Sequence, residues 1–100
     1  MDHTKRPHAI ANSFGFEGCG ALGPFTPAQV VERDRKSGHY LRSPRHPDWD
    51  TLIGQYVPGD LIYYIDCRTV DASGILVGTD FYALTRGGVV IARALEIVYD

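Results

Sequence analysis

The stretch 60–70, DLIYYIDCRTV, ends in three neighbouring residues that could do chemistry, Asp66, Cys67 and Arg68. A thiolate flanked by a carboxylate and a guanidinium could act as a nucleophile if all three groups faced one site. Side chains alternate between the two faces of a strand, so Cys67 faces the opposite way from Asp66 and Arg68. We therefore predict that Cys67 is a free, buried structural residue. Asp66 and Arg68 are predicted to form a surface pair.

Cys19 is the other candidate nucleophile, because it lies among glycines whose backbone amides could stabilise a thiolate. His39 or His46 would then have to serve as its base. The two cysteines make no disulfide framework, although a single bridge between them stays open. A small enzyme that uses Cys19 or an Asp/His pair is therefore the alternative function, and no catalytic residue is assigned.

Cofactor and metal chemistry lack a motif in this chain. The four histidines and two cysteines do not have the spacing of a zinc site, and the glycines of residues 15–23 do not form a nucleotide-binding loop. We predict no metal and no cofactor. Aspartates near predicted strand ends could line a cleft, but at such positions they usually form turns. They are Asp60, Asp66, Asp71 and Asp80.

Charge is unevenly divided along the 100 residues. Residues 1–47 hold seven Lys/Arg and four Asp/Glu, whereas residues 48–100 hold three and eight. The basic stretch 33–46, with Tyr40, would be the nucleic-acid surface, but the formal net charge of −2 favours no such partner. Apolar runs are too short for a membrane span or a signal peptide, so we predict a bacterial, cytoplasmic protein with no membrane partner.

The N-terminal half is predicted to contain two helices. Residues 1–24 are glycine-rich and are expected to be irregular, with a short strand near 9–16 as an option. Two helices then occupy residues 25–58. In the first, Thr26 is the N-cap and Gln29 completes a capping box. The second, about 47–57, begins at a proline and carries one apolar face.

The C-terminal half, residues 60–100, is predicted to form antiparallel strands at 61–68, 75–85 and 89–99. Gly87-Gly88 is typical of a two-residue hairpin loop between the last two. The whole chain is thus expected to be a single α+β domain, residues 1–100. Its two helices would pack on a three-stranded or four-stranded antiparallel meander.

The final hairpin is predicted to carry a contact surface. With a two-residue loop, one of its faces is strongly apolar, and two short helices would cover only the other face. This face would bind another protein or a second copy of the chain unless residues 1–24 fold over it. The predicted binding residues are Tyr82, Arg93, Leu84, Ile91 and Leu95, with Tyr64, Asp66 and Arg68 at the margin.

Two segments, PGDLIYYIDC at 58–67 and GTDFYALTRGGVVIARAL at 78–95, resemble short uncharacterised bacterial proteins. In those proteins a Pro-Gly-Asp turn leads into an aromatic strand and a glycine hairpin joins the last two strands. In size and class the chain is also similar to immunity proteins, which neutralise bacterial toxins. The contact face of the final hairpin predicts a non-enzymatic protein-binding module. It would be either an immunity-type inhibitor, by analogy of size and class, or a small homo-oligomeric accessory protein.

Overall fold

Residues 5–37 and 47–99 are described by a computed structural model of the chain. The described elements are α1 (Lys5–Ser13), β1 (Gly20–Phe25), α2 (Pro27–Ser37), α3 (Pro47–Gln55), β2 (Leu61–Asp66), β3 (Thr69–Val70), β4 (Leu76–Arg86) and β5 (Val89–Tyr99). The α+β class and the antiparallel sheet are confirmed. The predicted element count was too low, because α1, β1 and the short β3 were not expected. Within the described residues, no helix is long and apolar enough to cross a membrane.

The strands form one antiparallel sheet around β4. β1 pairs with β2, and β2 pairs with β4 through residues 80–85 of β4. β5 lies on the other side of β4, and β3 pairs with the first two residues of β4. β1, β3 and β5 each pair with one strand and are therefore the outer strands, and β4 is the central one.

The capping box at the start of α2 is confirmed. The Gln29 side chain accepts a hydrogen bond from the Thr26 backbone N–H at 2.8 Å, and the Thr26 hydroxyl accepts one from the Gln29 N–H at 3.2 Å. These bonds satisfy backbone donors that the first helical turn leaves without partners. Val30, one residue further on, is fully buried and directs α2 onto the sheet.

The hairpin loop at Gly87-Gly88 forms as predicted, with Arg86 opposite Val89. Both glycines have positive φ, as the primed two-residue turns require. A regular hairpin with this loop would place Tyr82 opposite Arg93, and that expected pairing is wrong: Arg93 lies opposite Ala83, and Tyr82 lies opposite Ala94. A register shift near Val90 adds one residue to β5 and reverses which face the following side chains occupy.

A second irregularity in β5 lies at Leu95. The register shifts again between Asp80 and Tyr82, and Leu95 has a φ of 59°, the left-handed region. Its N–H donates to the Asp48 carboxylate at 2.9 Å, so α3 supplies the acceptor that the sheet does not. This geometry directs the Leu95 side chain into the core, where it is 7% exposed.

Both faces of the sheet are covered. The α2 and α3 helices cover the face that holds Ile62, Tyr82 and Leu84, and Trp49 and Leu52 of α3 pack there. The predicted contact face is therefore largely interior. Leu84 is fully buried, Tyr82 and Leu95 are nearly so, and the partly buried Ile91 packs against the same cluster. The two helices that were expected to cover the other face cover these side chains.

The opposite face is covered by the N-terminal segment, which was expected to be irregular. Residues 9–16 form part of α1 and a turn, with no strand. Phe14 packs on Tyr63 with ring centroids 5.3 Å apart, and Phe16 meets Phe81 edge-on at 5.1 Å. Ala11 is fully buried in the same cluster. Ala21 and Ala83 on the sheet allow this close approach of the N-terminal segment.

A disulfide joins Cys19, just before β1, to Cys67, just after β2. The prediction that Cys67 is a free cysteine was wrong. Cys67 shares the second face with Ile65 and Phe81, where the N-terminal segment brings Cys19 within bonding distance. The bond fastens the N-terminal cover to the sheet.

Replacing both Cys19 and Cys67 by serine should lower the free energy of unfolding by about 2–4 kcal/mol, because the unfolded chain loses a covalent loop closure. Urea unfolding followed by circular dichroism measures this. A reductant should lower the midpoint of the wild-type chain toward that of the double variant and leave the variant unchanged. Equal midpoints without reductant would contradict a stabilising bridge.

An ion pair ties the end of β4 to the turn before β2. Arg86 Nη2 lies 2.8 Å from Asp60 Oδ2, and the Asp60 side chain is almost inaccessible. The same carboxylate accepts the Val57 N–H at 3.0 Å. Hydrogen bonding from Arg86, reinforced by the Val57 N–H against the opposing effect of burial, lowers the pKa of Asp60 to about 2.

We expect Asp60 to contribute to acid stability in a defined range of pH. Its pKa is lowered from 3.8 to about 2, so its contribution is complete above 3.8 and is lost as the pH falls toward 2. The stability difference between the wild-type chain and Asp60→Asn should therefore shrink across that interval in urea titrations. Arg86→Gln should remove most of the pH dependence of that difference. A difference that stays constant with pH would be inconsistent with this pairing.

Candidate binding cleft

A cleft of about 420 Å³ opens between α2 and the sheet at the end away from the Gly87-Gly88 loop. Arg33, Asp34 and Lys36 form its helical wall. The sheet provides the floor, which consists of Tyr64, Asp80, Tyr82, Leu95 and Ile97. We call this space, lined by these eight residues, the tyrosine cleft.

Asp80 is the buried charge of the tyrosine cleft, with 5% of its surface exposed. Its Oδ2 accepts a hydrogen bond from the Tyr64 hydroxyl at 2.6 Å and one from the Tyr99 hydroxyl at 3.1 Å. Arg68 Nε lies 3.8 Å from the same oxygen. A buried carboxylate is costly without such partners. The site therefore depends on three strands, because β4 supplies Asp80 and β2 and β5 supply the tyrosines that donate to it.

The two phenols are held in their neutral form. Burial raises the pKa of Tyr64 well above its usual range, and the hydrogen bond to Asp80 adds to the effect. Burial and Asp80 also raise the pKa of Tyr99, in the same order. Both hydroxyls therefore remain donors to the carboxylate, and the cluster is a rigid support with no ionised phenol.

Arg33 crosses the cleft from α2 to the sheet. Its Nε donates to the Tyr82 hydroxyl at 3.1 Å. The guanidinium lies over the Phe25 ring, 4.5 Å from the centroid, and near the Tyr64 ring at 5.6 Å. Tyr64 and Tyr82 are themselves in contact, with centroids 5.3 Å apart. The guanidinium is thus oriented by aromatic rings and by one hydrogen bond before any ligand arrives.

Asp66 and Arg68 pair beside the cleft, as the alternation of β2 suggested. Arg68 donates through both Nε and Nη2 to the Asp66 carboxylate at 2.8 Å. This bidentate contact lowers the pKa of Asp66, and it raises that of Arg68. The Arg68 guanidinium also lies 5.3 Å from the centroid of the Tyr99 ring. Through Arg68, the pair therefore contacts Asp80 and Tyr99 from the solvent side of the cluster.

The structure gathers only part of the predicted binding set in one place. Tyr64, Tyr82 and Leu95 line the cleft, with Asp66 and Arg68 beside it. The remaining members lie elsewhere. Leu84 and Ile91 belong to the core. Arg93 is on the opposite face, 4.2 Å from the Phe81 ring centroid and paired with Glu96.

Several cleft residues were missed from the binding set. Arg33 was expected only as part of a basic surface, and Asp80 as one of four aspartates near strand ends. Of those four, Asp71 does form a turn, accepting bonds from Ser73 and from the Ile75 N–H. A buried aspartate between aromatic residues, in the run TDFY at 79–82, was the available signal for Asp80.

The candidate catalytic chemistry is not assembled in the described part of the chain. The Cys19 sulfur is bonded to Cys67, so it is not a nucleophile in this state. Its candidate bases, His39 and His46, lie outside the described residues, as does most of the basic stretch 33–46. In residues 5–37 and 47–99 no group of three or more His, Cys, Asp or Glu side chains could hold a metal ion.

Comparison of the chain with models of known protein families, with curated proteins and with solved structures found no match. A functional assignment must therefore come from the cleft itself.

Asp80→Asn should lower the pKa of Tyr64 toward the usual tyrosine value without reaching it, because burial remains after the charge is removed. Alkaline titration followed by tyrosinate absorbance would measure this. In the wild-type chain the neutral phenol stabilises the fold; that contribution is complete below the unfolded-state pKa of about 10 and is lost progressively as the pH rises from there toward the raised folded-state pKa.

The matched variant for this titration is Tyr64→Phe, which removes one of the two late-ionising phenols and leaves Tyr99. Its titration curve should lack the Tyr64 part of the late absorbance change, both with Asp80 and with Asn at position 80, so the difference from the parent curve isolates Tyr64. If Asp80→Asn leaves the late step where it was, the carboxylate does not hold the phenol.

Proposed function

We propose that the chain is a non-enzymatic protein-binding module whose contact surface is the tyrosine cleft. The supporting observation is that Arg33, Tyr64 and Tyr82 line one open concavity and are held in place by one another. Tyrosine and arginine are the residue types that dominate binding energy at interfaces, especially where they are oriented in advance.

The polar groups of the cleft favour binding over catalysis. Asp80 Oδ2 already accepts hydrogen bonds from two tyrosine hydroxyls. A general base needs an acceptor site directed at substrate, and a nucleophile needs an activated thiol or hydroxyl. An enzyme based on Cys19 would first require the bridge to Cys67 to be opened. A binding module needs only the shape and charge that the cleft already has.

Two forms of this function follow from the sequence. In the first, the chain is an immunity-type inhibitor of a bacterial toxin, and it acts by occluding the toxin's surface. In the second, it is a homo-oligomeric accessory protein, and the cleft receives a second copy. Leu84 is fully buried and does not line the cleft, so it is removed from either interface. Arg33, Tyr64 and Tyr82 are left as the central polar contacts, with Leu95 on the apolar part of the cleft floor.

The proposed cytoplasmic location carries a condition. Disulfides persist in oxidising compartments, and cytosolic thiols are kept reduced. If the protein works in the cytosol, the cleft must therefore keep its shape when Cys19 and Cys67 are thiols. The α2 and α3 helices, which do not contain the bridge, cover the cleft face by themselves, and this supports a cleft that keeps its shape without the disulfide.

The contact surface is tested by reversing two charges on the helical wall of the cleft. The tagged chain carrying Arg33→Glu and Lys36→Glu should retain at most about a tenth of the partner that the wild-type chain retains from its source cells, which is the size of effect expected for interface hot spots. Native mass spectrometry of the purified complex measures retention and also distinguishes a second copy from a different protein.

Arg93→Glu is the matched control for this experiment, because Arg93 also lies over an aromatic ring but on the opposite face. It should retain the partner in full, provided that circular dichroism shows all variants to be folded. Equal retention by the cleft variant and the control would exclude the cleft as the contact surface.

A further inference from the structure

Within the described residues, the hydrogen-bond donors of the tyrosine cleft outnumber its accessible acceptors. Arg33 has five N–H donors, and among residues 5–37 and 47–99 only its Nε makes a hydrogen bond, to the Tyr82 hydroxyl. The guanidinium is held over the Phe25 ring. Its terminal nitrogens therefore belong to an oriented group and carry donors that no described residue takes.

The Tyr82 hydroxyl is a second donor in the same place. Because its oxygen accepts the Arg33 Nε–H, its own proton must point elsewhere. Among residues 5–37 and 47–99, no side chain or carbonyl accepts that proton. Lys36 adds an ammonium group on the same helical wall, and 74% of its side chain is exposed. Its contact with Glu32, at 4.0 Å, is long for an ion pair.

The acids of the cleft do not offset these donors at the ligand position. Asp80 is buried and accepts the Tyr64 and Tyr99 hydroxyls, with Arg68 behind it. Asp34 is 6% exposed and is engaged in an interaction of its own. The charges that a ligand would meet first are therefore the cations Arg33 and Lys36.

We propose that the tyrosine cleft binds the carboxylate of an aspartate or glutamate side chain presented by the partner protein. A carboxylate is planar and matches the paired donors of a guanidinium, so it would lie against Arg33 and accept the Tyr82 O–H. Leu95 and Ile97 form an apolar wall for the methylene stem, which favours a carboxylate on a hydrocarbon chain over a free inorganic anion. This inference rests on the proposed protein-binding function.

The full chain, labelled with ¹⁵N, would be titrated with N-acetyl-glutamate methylamide while the Arg33 Nε–H resonance is followed by NMR. We expect a saturable shift. N-acetyl-glutamine methylamide, which has the same shape without the charge, should need about tenfold more ligand for the same shift, because charge-assisted hydrogen bonds are the stronger ones. Inorganic phosphate, without a stem, should bind more weakly than the glutamate probe.

Two variants tie the shift to the cleft. Arg33→Gln, followed through the Tyr64 and Tyr82 ring resonances, should abolish saturable binding, whereas Arg93→Gln should leave it unchanged. Arg33→Lys keeps the charge but loses the fork, and it should weaken binding several-fold. The proposal is overturned if the glutamate probe gives no saturable shift, if the glutamine probe or phosphate matches it, or if Arg33→Gln binds equally well.

These outcomes separate the inference from the proposed function. A cellular complex that depends on Arg33 and Lys36, combined with no response to the glutamate probe, would reject the carboxylate anchor and leave the binding module standing. Saturable binding of the probe by a chain that retains no protein partner would reject the binding module. In that case the cleft would be a site for a small carboxylate.

Discussion

The burial of β4 on both faces is the constraint on which the rest of the fold depends. Six consecutive residues of this strand, from Asp80 to Thr85, are buried. A strand of this kind is stable only if each face of the sheet is covered, because neither row of side chains can be left in water. The α2 and α3 helices cover one face, and the N-terminal segment, fastened by the disulfide, covers the other. The cleft lies next to the aliphatic core on the face that α2 and α3 cover, where Asp80 and the two tyrosines bonded to it, Tyr64 and Tyr99, take the place of aliphatic side chains.

Local chemistry predicted the elements whose determinants are adjacent in sequence. The capping box at Thr26 and Gln29 located the start of α2, and Gly87-Gly88 located the hairpin. Features set by distant residues were missed. β1 forms because residues 20–22 pair with β2, although its glycines resemble a turn. The bulges of β5 depend on packing against α3, and Asp48 satisfies the N–H that one of them exposes.

The candidate site shows the same division. Alternation along β2 was enough to place Tyr64, Asp66 and Arg68 on one face, and they do meet at one end of the sheet. Arg33 could not be assigned, because its partner Tyr82 is 49 residues away and the crossing of α2 over the sheet sets their contact. The disulfide was missed for a related reason. Cys19 and Cys67 come together only once the unexpected pairing of β1 with β2 is known.

The irregularities of β1 and β5 have a consequence for how these two edges of the sheet can associate. β5 is interrupted near Val90 and at Leu95, where a backbone N–H is already taken by Asp48. β1 contains Pro24, which has no N–H, and its register shifts between Leu22 and Phe25. Neither strand offers the straight, regularly spaced ladder of donors and acceptors on which a foreign strand could be templated. These two edges are thus protected against runaway β-polymerisation, and contact along them would have to use side chains, with no contribution from a shared, continuous backbone ribbon.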